Sequence, residues 1–338
     1  MSLNSNQLKP LVSDVLRAGL VPFVAGSPGI GKSDLIANIA KHFNLKLIDH
    51  RLSTSDPTDL SGFPSIVEGR ADYIPFELFP VEGTEVPEGY DGWLLFLDEF
   101  NSAPMSVQAA AYKLSLDRMV GQHKLHEKCA CITAGNKETD GAIVNRLSTA
   151  MQSRLVHFEM DVDSDAWLGW AYENNVDSRV TSFINYAPEK LHMFDPAHND
   201  KTFPCPRTWH FISRVIGSMS EITSDKLPIL EGTIGKGVSR EFLQYCDIGS
   251  QLPSFAEIIK DPKGTKLPDE PSTMYFICGT VASKAEPKVL DKLITFIERM
   301  PIEFQIVCFR DMLKRDKTLK AEKPLRGWIM KNSSELFD

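Results

Sequence analysis

A glycine-rich stretch near the start of the chain has the spacing of a phosphate-binding loop. It matches the pattern G-x-x-x-x-G-K-S/T, in which small residues let successive backbone N–H groups surround a phosphate. The lysine brings positive charge to the phosphate oxygens, and the final hydroxyl can bind Mg²⁺. A plain glycine-rich turn is disfavoured because the stretch lies between a predicted strand and a predicted helix. The loop consists of Gly26, Ser27, Pro28, Gly29, Ile30, Gly31, Lys32 and Ser33.

Two adjacent acids end the apolar stretch 93–99. The carboxyl end of a strand is where α/β sheets hold their ligands, so both side chains should lie near the loop. We expect Asp98 to hold Mg²⁺ together with Ser33, and Glu99 to orient the water that attacks a γ-phosphate. The alternative is an acidic turn that caps the next helix. The combination with a phosphate loop favours the catalytic interpretation.

Further polar candidates follow the later strands. Asn136 follows Gly135 at the end of the apolar stretch 129–134, so it should emerge at the same edge of the sheet, near the attacking water or the γ-phosphate. Arg146 and Arg154 precede the fifth predicted strand, and Arg207 begins a predicted helix. Each of these arginines could instead be an ordinary surface residue.

The pattern of apolar residues predicts the strands and helices that position these candidate residues. Five short apolar stretches, at 20–25, 45–50, 93–98, 129–134 and 154–160, predict strands that are covered on both faces. Helical spacing at 32–43 and 106–119 separates several of them. Strands that alternate with helices predict a parallel α/β sheet. After residue 161 the pattern becomes helical, with Pro and Gly between the segments.

Composition narrows the class of protein. The 338 residues carry a net charge of −8, which disfavours a general nucleic-acid binder but allows a local basic groove. The chain has no apolar stretch of the roughly 18 residues that span a bilayer and no leader-like start, so we expect a cytoplasmic protein without a membrane partner. The six scattered cysteines are typical of reduced thiols.

One cluster of histidines and cysteines has the residue types of a zinc site. It contains His123, His126, Cys129 and Cys131. The two cysteines alternate with apolar residues as in a buried strand, so the spacing favours a strand over metal ligation.

The ordered motifs resemble the AAA+ ATPases and, within them, the MoxR-like branch. The resemblance covers about residues 5–220. Besides the loop at 26–33, it is carried by the segments 56–62, 97–104, 107–110, 119–121, 134–136, 153–155 and 206–209.

The resemblance implies roles for the remaining polar candidates. Asn136 matches sensor 1, Arg154 matches the arginine finger that acts on a neighbouring subunit, and Arg207 matches sensor 2. Two departures occur: Lys137 follows the sensor where the family has proline, and Leu155 follows the finger where the family has phenylalanine. Arg146 therefore stays open as an alternative finger.

The resemblance also implies an architecture and an activity. The α/β core, an AAA+ phosphate-loop domain with a five-stranded parallel sheet, should cover residues 1–160. A helical lid should cover 161–220 and a helical C-terminal extension 221–338. The implied activity is Mg²⁺-dependent ATP hydrolysis that remodels or chaperones a protein client in a ring, with six subunits expected. A partner with a von Willebrand factor A domain is implied as well.

Two other functions stay open. One is a DNA-acting motor, such as a helicase or a restriction-type translocase, since related ATPases contact DNA through hairpins like those predicted at 63–75 and 120–128. The other is a regulatory switch that binds ATP with negligible turnover. Stimulation of hydrolysis by DNA would distinguish the first, whereas a complete Glu99 and arginine finger argue against the second.

The sequence also predicts two hairpins. Residues 63–75 predict two short strands around a turn at 68–70, which resembles the helix-2 insert of the same branch. Residues 120–128 resemble the pre-sensor hairpin. In the family such hairpins contact the client, although a surface hairpin without contacts is the alternative.

A basic stretch lies near the C-terminus and is typical of a solvated face or of a contact with an acidic partner. It contains Lys314, Arg315, Lys317, Lys320, Lys323 and Arg326.

Overall fold

The computed structural model describes residues 2–140, 145, 147–197 and 200–332. The chain divides into two units. The first ends at Asp163 and also includes a short stretch that begins at Asp195, and the second begins at Ser164. Within the described residues, no helix is both long and apolar enough to cross a membrane.

The first unit contains all of the described strands. They are β1 Val21–Ala25, β2 Leu45–Arg51, β3 Phe63–Val67, β4 Arg70–Ile74, β5 Gly92–Asp98, β6 Met119–Val120, β7 His123–Lys124, β8 Cys129–Gly135 and β9 Leu155–Glu159. Five of them form one parallel sheet in the order β2-β5-β8-β1-β9. The predicted five-stranded parallel sheet is confirmed, with each strand boundary within one residue of its prediction.

Apolar side chains cover both faces of this sheet, which explains why its strands are continuous apolar stretches. Every residue of β5 is buried. Successive residues face opposite layers: Phe23 and Leu95 lie in one apolar cluster, and Val24 and Leu94 in the other. A sheet buried on both faces exposes its polar groups only at the strand ends, and there the candidate site lies.

The helices alternate with the strands in the first unit and occur alone in the second. They are α1 Ser5–Arg17, α2 Lys32–His42, α3 Pro57–Ser61, α4 Met105–Ser115, α5 Thr149–Gln152, α6 Ser164–Glu173, α7 Ser178–Tyr186, α8 Pro206–Ile216, α9 Leu227–Ile234, α10 Lys236–Ser250, α11 Phe255–Lys260, α12 Pro271–Ser283, α13 Leu290–Ile297, α14 Ile302–Arg315 and α15 Lys323–Lys331. The α/β class with a helical C-terminal region is thus confirmed.

The second unit holds helices from both the predicted lid and the predicted extension. Helix α12 packs closely on α7, where a Cβ at Gly279 would lie 2.9 Å from the Cβ of Ser182. Arg315 of α14 donates a hydrogen bond to Thr181 of α7. Both helical segments therefore share packing within this unit, and the division between 161–220 and 221–338 stays a prediction.

The two predicted hairpins are present. Strands β3 and β4 pair antiparallel through the turn at Glu68 and Gly69, both with positive φ. Strands β6 and β7 form a shorter pair. Cys129 and Cys131 are buried on β8, and no group of three or more potential metal-binding side chains occurs among the described residues.

Candidate active site

The glycine-rich loop lies between β1 and α2, at the carboxyl end of β1. Gly29 and Gly31 have φ of 77° and 96°, a region in which a side chain is strained. A Cβ at Gly26 would lie 2.7 Å from Cδ1 of Ile30 and 3.0 Å from the carbonyl oxygen of Met160, so a side chain there would require its neighbours to shift. The Gly26 N–H donates to the carbonyl oxygen of Gly135, 3.2 Å away on β8. The loop is therefore anchored to the strand that precedes Asn136.

Lys32 begins α2 and turns its ammonium back over the loop. The Nζ atom donates hydrogen bonds to the carbonyl oxygens of Gly26 and Ser27, the latter at 2.9 Å. The positive end of the helix dipole lies at the same place. Both contributions make this end of the sheet attractive to phosphate.

Ser33 and Asp98 meet although 65 residues separate them. The Ser33 hydroxyl donates to Oδ2 of Asp98 at 3.4 Å, while Oδ1 accepts a hydrogen bond from the Glu99 N–H at 2.8 Å. Asp98 is only 8% exposed, and burial raises its pKa, against the lowering effect of the Glu99 N–H and of Lys32. A hydroxyl and a carboxylate as neighbours form the hard oxygen donor set that Mg²⁺ prefers, so these residues fit the ion.

Glu99 has an unusual backbone. Its φ of 55° and ψ of 35° are in the left-handed region, which is uncommon for a residue other than glycine. The carboxylate accepts a hydrogen bond from the hydroxyl of Ser53, in the 3-10 turn that follows β2. Ser53 was missed from the sequence, because only the pairing of Arg51 with Asp98 brings the two strand ends together.

Asn101 is a second residue that the sequence interpretation missed. Its buried side-chain amide donates to the carbonyl oxygen of Asn136 at 2.7 Å and accepts from the Asn136 N–H at 3.0 Å. A Cβ at Gly135 would lie 2.2 Å from Asn101 Oδ1. Asn101 thus fixes the backbone of Asn136, whose own side chain reaches the Ser102 hydroxyl at 3.5 Å. The only sequence signal was a polar residue just after the apolar strand.

Lys137, the departure from the family pattern, forms two ion pairs at the same edge of the sheet. Its ammonium lies 2.9 Å from Glu159 and 2.5 Å from Asp161. Burial lowers the pKa of Lys137, but the two carboxylates outweigh this effect and leave the pKa raised. The pairs join the end of β8 to the end of β9, on either side of β1.

Arg154 lies at the amino ends of the strands, opposite the edge of the sheet that carries the phosphate loop. It precedes β9, whose Leu155 pairs with Val21 at the start of β1. The length of β9 therefore separates Arg154 from the phosphate-loop edge by about 15 Å. The guanidinium is exposed, donates to the carbonyl oxygen of Ala150 at 3.0 Å and lies 5.5 Å from the Tyr112 ring centre.

Arg207 is exposed in the first turn of α8 and belongs to the second unit. Arg146 lies outside the described residues. Their roles stay predictions.

No protein-family model and no curated protein sequence matches the chain. Among solved structures, the chain is similar to a candidate ATPase of Cytophaga hutchinsonii, with 12% identity over 98% of this chain and 89% of that chain and a TM-score of 0.38. It is also similar to the RuvB Holliday junction branch migration motor of Thermotoga maritima, with 16% identity, coverage of 76% and 74%, and a TM-score of 0.37. Similarities of this size carry no functional argument, so the function is argued from the residues.

Proposed function

We propose that the chain is a Mg²⁺-dependent ATP hydrolase of the AAA+ class, in its MoxR-like branch. The observation that carries the proposal is the contact of Ser33 with Asp98 beside Lys32 and Glu99. One cation, one hydroxyl and two adjacent carboxylates from separate segments thus meet at the end of a glycine-rich loop. A structural turn would need none of these contacts.

Each residue has a separate task in the proposed reaction. The loop N–H groups and Lys32 bind the phosphates, and Ser33 and Asp98 hold Mg²⁺, which supplies positive charge when bound. Glu99 orients the attacking water and accepts its proton as the bond between the β- and γ-phosphates breaks. Asn136 contacts the same water or the γ-phosphate from the neighbouring strand.

The proposal includes a homo-oligomeric ring, with six subunits expected. Its support is the place of Arg154, exposed and about 15 Å along the sheet from its own phosphate loop. An arginine at that distance serves a neighbouring subunit better than its own. Arg207 is proposed to contact the nucleotide as sensor 2, and Arg146 is the alternative finger.

We further propose a protein client, with a partner that carries a von Willebrand factor A domain. The hairpin β3–β4 supports this because it exposes a set of large apolar side chains, with Ile66 79% and Phe63 63% exposed. Shortening the turn 68–70 should spare basal hydrolysis and abolish work on the client. The proposed location is the cytoplasm, in line with six free, buried cysteines.

Two substitutions test the proposed reaction. Lys32→Ala should abolish ATP binding, whereas Glu99→Gln should leave binding intact and trap ATP, because only the second change removes a group needed chiefly for the water. Affinity from calorimetry and turnover from phosphate release decide the outcome. Near wild-type turnover in Glu99→Gln would refute the assignment of Glu99, and strong stimulation of the wild type by DNA would favour the DNA motor.

A further inference from the structure

The second unit contains a cleft that the proposed reaction does not use. It lies between α7, α10, the start of α12 and the 3-10 turn Pro188–Leu191, with a volume of about 580 Å³. Its floor is aromatic, formed by Phe183, Tyr186, Tyr245 and Phe276. The rings of Tyr186 and Tyr245 are stacked, with centres 5.8 Å apart.

Glycine makes this aromatic floor possible. A Cβ at Gly249 would lie 2.1 Å from the Phe276 ring, so this ring can rest on α10 only where the helix has no side chain. Tyr186 and Ile248 remain well exposed at the cleft. The cleft therefore offers aromatic and aliphatic contacts to a side chain that enters it.

The rim of the cleft carries negative charge. Glu189, Glu241 and Glu270 line it, and the one lysine there, Lys190, pairs with Glu241 at 2.9 Å. In the described part of the chain, Glu189 and Glu270 form no ion pair. Charge complementarity therefore favours an occupant that presents cations next to an apolar side chain.

Helix α15 of this chain presents such a surface. Leu325 and Trp328 face its own core, whereas Lys323, Arg326 and Met330 follow each other at the spacing of one helix face. Met330 is 78% exposed, and across the described residues no carboxylate pairs with Lys323 or Arg326. The face spans about 10 Å along the helix.

We propose that α15 of one copy docks into the cleft of a second copy. Met330 contacts the aromatic floor, a favourable partner for its sulfur, while Lys323 and Arg326 lie against Glu189 and Glu270. Each copy carries both surfaces, so the contact is head-to-tail and joins copies in a closed ring or a filament. It goes beyond the proposed function, since it needs neither nucleotide nor Arg154.

Cross-linking between copies tests the contact directly. All six native cysteines are buried, so an engineered thiol is the reactive one. Ile248→Cys protein is mixed with Met330→Cys protein without nucleotide and oxidised. In the control mixture, Ile229→Cys, at a comparably exposed position on α9, replaces Ile248→Cys. We expect the yield of the disulfide-linked pair to be at least about tenfold higher with Ile248→Cys than in this control. Equal yields in the two mixtures would overturn the proposal.

Charge reversal gives an independent measurement by sedimentation at low salt. Glu189→Lys with Glu270→Lys, or Lys323→Glu with Arg326→Glu, should each weaken this association by at least about tenfold. The control Glu221→Lys with Glu286→Lys has the same charge change outside the cleft and should have no such effect. Mixing the two weakened proteins should restore association. In the mixture, the basic cleft of one variant meets the acidic α15 of the other, and the unchanged acidic cleft meets the unchanged basic α15, so both kinds of contact are complementary. If charge reversal weakens association but mixing does not restore it, docking between copies is contradicted. It is also contradicted if a client protein shields the cleft and a second copy does not.

The test separates this proposal from the proposed function. Its readouts are cross-link yield and association without ATP, and the substituted residues lie outside the phosphate-loop edge. Circular dichroism melting of each variant shows whether it is folded. Loss of ATP hydrolysis in Glu99→Gln leaves the expected cross-link unchanged.

Discussion

Two arginines of this chain lie over tyrosine rings in contrasting surroundings. Arg154, in the first unit, is exposed and 5.5 Å from the Tyr112 ring centre. Arg315, in the second unit, is 5.1 Å from the Tyr172 ring centre, and its side chain is only 12% exposed.

The difference lies in what else each guanidinium contacts. Arg315 pairs with the buried Asp311 at 2.5 Å and donates to Thr181 at 3.1 Å. Arg154 donates to one carbonyl oxygen, and within the described residues it has no carboxylate partner. An arginine neutralised inside the protein contributes to the stability of the fold, whereas the charge of an exposed one is accessible to another molecule, as we propose for Arg154.

The largest expected effect concerns Arg154. Arg154→Ala should cut ATP turnover by about a thousandfold with little change in ATP affinity or melting temperature, since the lost charge acts on the reaction and not on the fold. Phosphate release and calorimetry measure both. Mixing these subunits with Glu99→Gln subunits should partly restore turnover, because some interfaces then combine intact Glu99 with intact Arg154.

The mixing experiment also identifies the finger. Recovery only when Arg146→Ala replaces Arg154→Ala in the mixture would move the finger to Arg146. Absence of recovery with either, in rings shown to be mixed, would count against an arginine that acts between subunits.

The reverse pattern is expected at Arg315. Arg315→Ala leaves the carboxylate of Asp311 buried without its partner, so the free energy of unfolding should fall by about 3 kcal/mol. Urea unfolding measures the loss. The double variant Arg315→Met with Asp311→Leu should recover most of it, because an apolar pair removes the unpaired charge. If both proteins lose equal stability, burial of the charge is not the cause.

A smaller effect should appear as a pH dependence. Burial raises the pKa of Asp311 from 3.8 to about 6, against the lowering effect of Arg315. The folded chain therefore holds the proton more tightly than the unfolded chain. The resulting stabilisation is full below pH 3.8 and is lost as the pH rises through about 6.

We expect this group to make the wild type about 1 kcal/mol more stable at about pH 5 than at pH 7. The comparison is with Asp311→Asn, in which the other titrating groups are the same and this contribution is missing. Urea unfolding of both proteins at the two pH values isolates it. Parallel pH profiles would show that Asp311 keeps its ordinary pKa.

The smallest effect concerns the hydroxyl next to Glu99. Ser53→Ala removes the hydrogen bond that orients the Glu99 carboxylate, so kcat should fall by about threefold, while the KM for ATP stays unchanged. Ser53→Thr, which keeps the hydroxyl, should retain the wild-type rate. A higher kcat in Ser53→Ala would instead show that Ser53 restrains Glu99.

The sheet and its loop were predictable from the sequence because their causes are local. A strand covered on both faces is a continuous apolar stretch, and a loop that surrounds phosphate needs glycine at fixed spacing. Asp98 and Glu99 were predictable as well, because they end such a strand. The contacts of Ser53 with Glu99 and of Asn101 with Asn136 join residues 46 and 35 positions apart. They depend on strand register, which the apolar pattern does not specify.

The helical unit shows a further limit of the same kind. Helix α15 is not predicted by the apolar pattern, because its basic residues are typical of a solvated stretch. That stretch is divided in the folded chain, since the Arg315 side chain is only 12% exposed and pairs with Asp311, while Lys323 and Arg326 are exposed. Sequence gives the charges, but tertiary packing decides which of them reach the surface.

The buried cysteines give each unit its own chemical reporter. Cys129 and Cys131 lie within the sheet of the first unit, whereas Cys205, Cys246, Cys278 and Cys308 lie in the second. A thiol reagent therefore reacts only when the surrounding layer opens. Pulse labelling followed by peptide mass spectrometry would record, from the wild-type chain alone, which unit opens first and at what rate.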